Sequence, residues 1–208
     1  MQQQADRAAP CVERVATAHL PTAHGRFTMH LYRESPSGLE HVVMTMGDVR
    51  QGTALTRIHS ECMTGDVLYS MRCDCGAQLE LAQARIGRAG RGVLIYMRGH
   101  EGRGIGLVDK LRAYALQDEG ADTVDANLRL GLPVDSRSFD AAAHILRDLG
   151  VSSIRLMTNN PAKVAALESQ GFTIVERVGH EVAATDHSRA YLPAKRDRLG
   201  HHLEGTSG

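Results

Sequence analysis

From Val12 to about Arg57, the apolar and polar residues fall into short runs that carry β signals. ERVATAHLP (13–21), GRFTMHLYR (25–33) and LEHVVMTMGDV (39–49) are three such runs, and turn residues such as Ser35-Pro36-Ser37-Gly38 separate them. After a cysteine-bearing segment, a helix is predicted from Gln78 to Ala89, stopped at Gly90. Gly92 to Met97 is a continuous apolar, β-branched run, as expected of a buried strand. LVDKLRAYALQDEG puts Leu107, Leu111, Tyr114 and Ala115 on one helical face, with Gly120 as the stop. A further helix is predicted from Ser138, as N-cap, through Phe139, Ala142, Ile145, Leu146 and Leu149 to Gly150.

The last unit is the clearest. Ile154 to Thr158 reads as a strand, Asn160 as an N-cap, and Pro161 as the first helical residue. AKVAALESQ continues the helix, Gly171 ends it, and FTIVERV is the next strand. That is a βαβ unit, whose ligands favour the crevice at the strand C-termini. Thr158 and Lys163 belong to that edge.

Composition narrows the function classes. At 208 residues, 42% hydrophobic, the chain holds one large domain or two small ones with a real core. Acidic and basic residues balance at 24 each and aromatics are 4%, which argues against a nucleic-acid-binding surface. Only Lys110, Lys163 and Lys195 are lysines, so 21 of the 24 cationic residues are arginines, the side chain that grips phosphate bidentately. No apolar run approaches the ~18 residues of a membrane span. MQQQADRAAP lacks an apolar signal core. Clustered cysteines without such a signal argue for reduced thiols and metal in the cytoplasm.

Three segments carry candidate chemistry. Cys62, Cys73 and Cys75 are spaced C-x10-C-x-C, an incomplete tetrahedral shell for Zn2+. Water in the fourth position makes a catalytic site, His59 there makes a structural one, and three buried thiols without metal are the remaining reading. Cys11 lies in the ragged N-terminus, away from the cluster. RGHEGRGIG (98–106) follows a strand and opens a helix, and its glycines and arginines suit an anion. Glu101 within it would repel phosphate, but it suits the paired N1–H and N2–H donors of a guanine edge. Asp135-Ser136-Arg137 is either a simple ion pair or a proton-transfer residue beside a phosphate contact. Arg57, Glu61 and Gln78 flank the cysteines, either as surface residues or as pocket lining.

Together these segments resemble GTP cyclohydrolase II, in its single-function form, over about residues 12–200. The matching stretches are RIHSECMTGDVLYSMRCDCGAQLE, RGHEGRGIGL, KLRAYALQDEGADTVDANLRLG, DSR and TNNPAKV, in the family's order. Residues 179–201 match more loosely. The resemblance, with the βαβ reading, implies an α/β domain over 12–200: a mixed sheet with helices, β-rich in its N-terminal half. Residues 1–11 and 201–208 are expected as disordered ends. The family's bifunctional forms carry a further domain that makes dihydroxybutanone phosphate, for which this chain is too short.

The resemblance implies that Cys62, Cys73 and Cys75 hold one catalytic Zn2+ per subunit. Arg57, Ile58, His59, Ser60, Glu61, Gln78, Glu101, Gly102, Arg103, Thr123, Thr158 and Lys163 would contact GTP, with Mg2+ on its triphosphate. Asp135 would be the proton acceptor, Arg137 a nucleophile or an electrostatic stabiliser of the α-phosphate, and Tyr114 a neighbour of the reacting ring. The implied reaction opens the imidazole ring at C8 and releases formate and pyrophosphate, the first step of riboflavin biosynthesis. A relative that stops at the formamide, or a GTP-binding protein without turnover, is the alternative. A cytoplasmic homodimer, with no nucleic-acid or membrane partner, completes the expectation.

Overall fold

A computed structural model describes residues 11–120, 123–133 and 135–182, with the backbone alone at residues 123 and 124. Residues 1–10 and the loosely matching stretch beyond residue 182 lie outside the described residues. Seven strands form one mixed sheet, flanked by helices. The strands are β1 (Cys11–Thr22), β2 (Gly25–Ser35), β3 (Glu40–Met46), β4 (Ala54–Ser60), β5 (Gly92–Met97), β6 (Ser153–Met157) and β7 (Thr173–Val178). Their spatial order is β1-β2-β3-β5-β4-β6-β7. The first three strands and β5 pair antiparallel, whereas β5, β4, β6 and β7 run parallel. Cys11, expected in the disordered end, instead opens β1 and pairs with Ser35.

The helices are α1 (Met63–Asp66), α2 (Cys75–Ala89), α3 (Gly106–Asp118), α4 (Thr123–Arg129), α5 (Asp140–Asp148) and α6 (Pro161–Ser169). Alternation along β5 builds two cores. Val93, Ile95 and Met97 face Ile145 and Leu146 of α5 and Leu167 of α6, while Leu94 faces Ala82 and Ile86 of α2. Each such fully buried aliphatic side chain contributes about 1.5–3 kcal/mol.

Local signals set the ends of several helices. Gly90 closes α2 at φ +67°, the left-handed conformation that glycine adopts without strain. Asn160 caps α6 by accepting from Ala162 N at 2.9 Å, with Pro161 first in the helix. Two expectations shift. The helix expected from Ser138 begins at Asp140, with Phe139 rather than Ser138 in the flanking position, and Ser138 Oγ accepts from Asp140 N at 3.1 Å. On α3 the buried positions are Lys110 and Ala113, not the Leu107–Leu111–Ala115 face; Leu111 is exposed. The cause is polar: Lys110 is drawn inward by the groups described below.

β4 sends the chain to β5 on one side, while β6 lies on its other side. The crossovers diverge there, and a crevice opens beyond the C-terminal ends of β4, β5 and β6.

Candidate functional site

The three cysteines meet at the mouth of that crevice. Cys62 follows β4 and precedes α1, Cys73 sits in the following loop, and Cys75 is the first residue of α2. Their sulfurs all lie within 4.8 Å of one another, and Cys62 and Cys73 Sγ are 3.7 Å apart. A tetrahedral Zn2+ with Zn–S bonds of about 2.3 Å sets its sulfurs about 3.8 Å apart, so the donor set fits. Gly65 lets α1 press on the cluster: a Cβ there would lie 2.7 Å from Cys73 Sγ. Among the described residues no fourth metal-binding side chain joins these three. His59 does not close the shell, because its Nε2 is turned to Asp66 at 3.0 Å. Burial holds the His59 ring below its ordinary pKa, and its Nδ1 is buried without a partner.

Carboxylates fix the backbone around the thiols. Asp66 accepts from Cys62 N and from the Tyr96 hydroxyl, each at 2.9 Å. Glu101 accepts from Met63 N at 2.6 Å, and Glu61 from Gly99 N at 2.8 Å. Lys110 Nζ donates to Glu101 Oε1 (2.6 Å), Thr64 Oγ1 (2.7 Å) and Cys62 Sγ (3.2 Å). Burial opposes the Lys110 charge, but the bond to Glu101 and the Cys62 charge outweigh it and raise its pKa. Hydrogen bonds from Cys73 and Cys75, helped by Lys110, lower the Cys62 pKa; the bond with Cys62 raises that of Cys73.

The same crevice is also lined by cations. Arg57, 5% exposed in the middle of β4, donates to Met157 O (2.8 Å) and Gln78 Oε1 (2.7 Å). Burial pushes its pKa down to about 10, so it stays charged at neutral pH, and its Nε has no partner. Lys163, in the first turn of α6, donates to Ile58 O at 2.8 Å. Burial, with Arg57 and Arg137 nearby, pushes its pKa well down, a penalty that an anion in the crevice would reverse. Arg137 forks onto Asp135 (Nε–Oδ1 2.9 Å, Nη2–Oδ2 2.6 Å) and donates from Nη1 to Ser60 Oγ at 3.2 Å. The Ser60 hydroxyl is then free to donate to His100 Nδ1, 3.2 Å away. Burial, with Arg137 and Lys163, pushes His100 down to about 3, so it is neutral at pH 7. Burial resists the Asp135 charge, but its bonds to Arg137 win and lower its pKa.

The RGHEGRG loop forms a short 3-10 turn, Glu101–Gly104, after β5. Gly102 and Arg103 stand at φ +60° and +65°, and Ser136 N donates to Arg103 O at 3.1 Å. That contact ties the loop to the Asp135–Arg137 segment, which follows much later in the chain.

One cavity therefore gathers Arg57, His59, Ser60, Glu61, Gln78, Gly102, Arg103, Tyr114, Arg137, Thr158 and Lys163 beside the three cysteines. Three expected site residues are not part of that lining. Ile58 is core, and only its carbonyl turns toward Lys163. Glu101 is buried, and its carboxylate accepts from Lys110 Nζ and Met63 N. Asp135 backs Arg137 from outside the wall. Thr123 opens α4, but its side chain lies outside the described residues. Lining residues that the sequence reading missed include His100, Lys110, Gln117, Asn127 and Asn159. His100 was legible, standing inside RGHEGRG. Lys110 was hidden by the assumption that a helix buries its leucines.

Residues 13–179 match the family model described as GTP cyclohydrolase II. The riboflavin biosynthesis protein RibBA of Salinispora tropica is 56% identical over 193 residues, covering 92% of this chain and 48% of that protein. RibBA proteins of Nocardia farcinica and Mycobacterium tuberculosis are each 55% identical, covering 93% of this chain and 47% of their own length. The chain thus spans about half the length of the curated relatives it matches. Among solved structures, RibBX, a two-domain 3,4-dihydroxy-2-butanone 4-phosphate synthase from A. baumannii, superposes with a TM-score of 0.46 at 24% identity, over 83% of this chain and 40% of that one. That likeness is too distant to inform the site. Sequence order, cysteine cluster and family match agree: the chain belongs to the GTP cyclohydrolase II family.

Proposed function

We propose that this chain hydrolyses GTP to 2,5-diamino-6-hydroxy-4-(5-phosphoribosylamino)pyrimidine, releasing formate from C8 and pyrophosphate from the triphosphate. The observation that carries the reading is one crevice lined both by a three-thiol cluster and by Arg57, Lys163 and Arg137. Zinc held by Cys62, Cys73 and Cys75 would supply an activated water at neutral pH. C8 of guanine lies between two nitrogens and is open to such attack. The ring opens to a formamide, and a second hydrolysis frees formate.

The chain's own residues bind and orient. Arg57 and Lys163 are buried cations with unspent or anion-starved charge, suited to phosphate oxygens that also carry Mg2+. Arg137 is a guanidinium held by both oxygens of Asp135 and by Ser60, aimed along the crevice wall. Such a group is a cation, not a nucleophile, at neutral pH. Its role is to stabilise charge at the α-phosphate as pyrophosphate leaves. Asp135 stays ionised beside it and so remains able to accept a proton. Tyr114, under Arg72 at 4.4 Å, lines the wall near the thiols and is assigned to the reacting ring.

The relatives' printed name supports riboflavin biosynthesis as the setting. Among the described residues no helix is long and apolar enough to cross a membrane. A homodimer in the cytoplasm belongs to the same proposal. Exposed Val67, Leu68, Tyr69 and Met71 after α1, with Val108 and Leu111 on α3, are apolar surface that a second copy would cover. Light scattering at two protein concentrations tests the dimer; a monomer at both would remove it. For the reaction, the test is metal dependence. Protein stripped with a chelator should release no formate from GTP, and one equivalent of zinc per chain should restore it. Formate release by the stripped protein would refute the reading.

A further inference from the structure

Lys110 is a buried charge to which the proposed reaction gives no task. It lies on α3, one turn before Tyr114, and is 7% exposed. A lysine so placed is costly unless every ammonium proton is used. Here all three are: Glu101 Oε1 at 2.6 Å, Thr64 Oγ1 at 2.7 Å and Cys62 Sγ at 3.2 Å. None remains for a substrate phosphate, which separates Lys110 from Arg57, Lys163 and Arg137.

The charge count explains the arrangement. Three thiolates around a dication leave one net negative charge. An ammonium on one of the sulfurs offsets it. Glu101 keeps that ammonium in place and is itself held by Met63 N and Gly102 N. Cys62 is thus the thiol that carries the Lys110 ammonium.

We propose that Lys110 is a positioning residue of the metal centre: its ammonium, anchored by Glu101 and Thr64, donates to the Cys62 thiolate, fixes that sulfur's direction and weakens it as a donor. The inference rests on the cysteine cluster being the zinc site and deepens that reading. Partners of metal ligands in this position typically change affinity or activity 10–100-fold when removed.

The test replaces zinc by Co2+ and compares the parent with Lys110→Met, Lys110→Arg and the double variant Lys110→Met/Glu101→Gln. A hydrogen bond to a thiolate lowers the energy of its lone pairs. Its loss should therefore move the sulfur-to-cobalt charge-transfer band to longer wavelength in Lys110→Met, with Lys110→Arg restoring most of it. The double variant removes the carboxylate left unpaired, so its melting temperature should recover while its band stays shifted. With zinc, formate release at saturating GTP should fall at least about tenfold in both Met variants, with KM for GTP unchanged. An unmoved band in both Met variants, or a double variant with the parent's rate, would overturn the proposal and leave Lys110 a merely structural residue. A parent protein that takes up no Co2+ would overturn the zinc reading along with it.

Discussion

Gly65 tests the metal reading by sterics alone. It lies in α1, buried against the cysteines, and its backbone is ordinary helix, so alanine brings no conformational strain. The added methyl would stand 2.7 Å from Cys73 Sγ, 3.0 Å from Cys75 Cβ and 3.4 Å from Cys62 Sγ. Ordinary contact begins at 3.4 Å, so Cys73 must yield about 0.7 Å, the difference between 3.4 and 2.7. Metal–ligand distances tolerate about ±0.2 Å. Gly76 packs on the Gly65 carbonyl, so the strain is relieved by parting α1 from α2, which draws Cys62 away from Cys75. Overpacking costs about 1–3 kcal/mol, against about 1 kcal/mol regained from alanine's better helix propensity. Gly65→Ala should thus fold, melt within several degrees of the metal-free parent, and bind zinc at least about a hundredfold more weakly. The assay is competition with a chromophoric chelator at fixed pH. Gly179→Ala, with open space around its Cβ, is the control. Zinc affinity within threefold of the parent would refute the reasoning.

Three further outcomes follow from the site. Cys73→Ser should lose zinc and formate release but keep some pyrophosphate release, measured together; loss of both would show that the two hydrolyses are not separable. Arg137→Lys removes the fork onto Asp135 and should slow pyrophosphate release by about 10–100-fold, while rapid-quench mass spectrometry of the parent should find no guanylyl adduct on Arg137; an adduct would make it the nucleophile. His180, fully buried and bonded to Gln78 O at 2.8 Å, is pushed by burial and Arg57 down to about 3 from the ordinary 6.5. Below pH 6.5 the unfolded chain therefore binds a proton that the folded chain refuses, so stability falls between pH 6.5 and 3. The loss is about 2 kcal/mol at pH 5 from this residue alone, and urea titrations of His180→Gln should show a correspondingly shallower decline; an unchanged slope would contradict it.

Much of the fold was written in periodicity. β1, β2 and β3 show as short β-type runs parted by turn residues, β5 is an unbroken apolar run, and Asn160-Pro161 marks the start of α6. What escaped was what the site bends to its own use. β4 lies inside the sheet between β5 and β6, yet LTRIHS carries Arg57 and His59, both buried and lining the crevice. α1 spans a single turn and has no periodicity to read. α3 turns a lysine inward and leaves Leu111 in solvent, because Glu101 and Cys62 outweigh hydrophobic patterning. The site was legible in type but not in direction. The cysteine spacing brought out the three thiols that cluster, whereas only the three-dimensional contacts turn His59 to Asp66 and Glu101 to Lys110.

The central claim is that one crevice performs both hydrolyses. Its most direct test uses GTP carrying carbon-13 at C8, with Mg2+ and one zinc per chain, followed by carbon and phosphorus NMR in the same tube. The account predicts labelled formate and pyrophosphate appearing in equal amounts. Pyrophosphate with the label retained in the nucleotide product, or intact GTP in the presence of zinc-loaded protein, would contradict it.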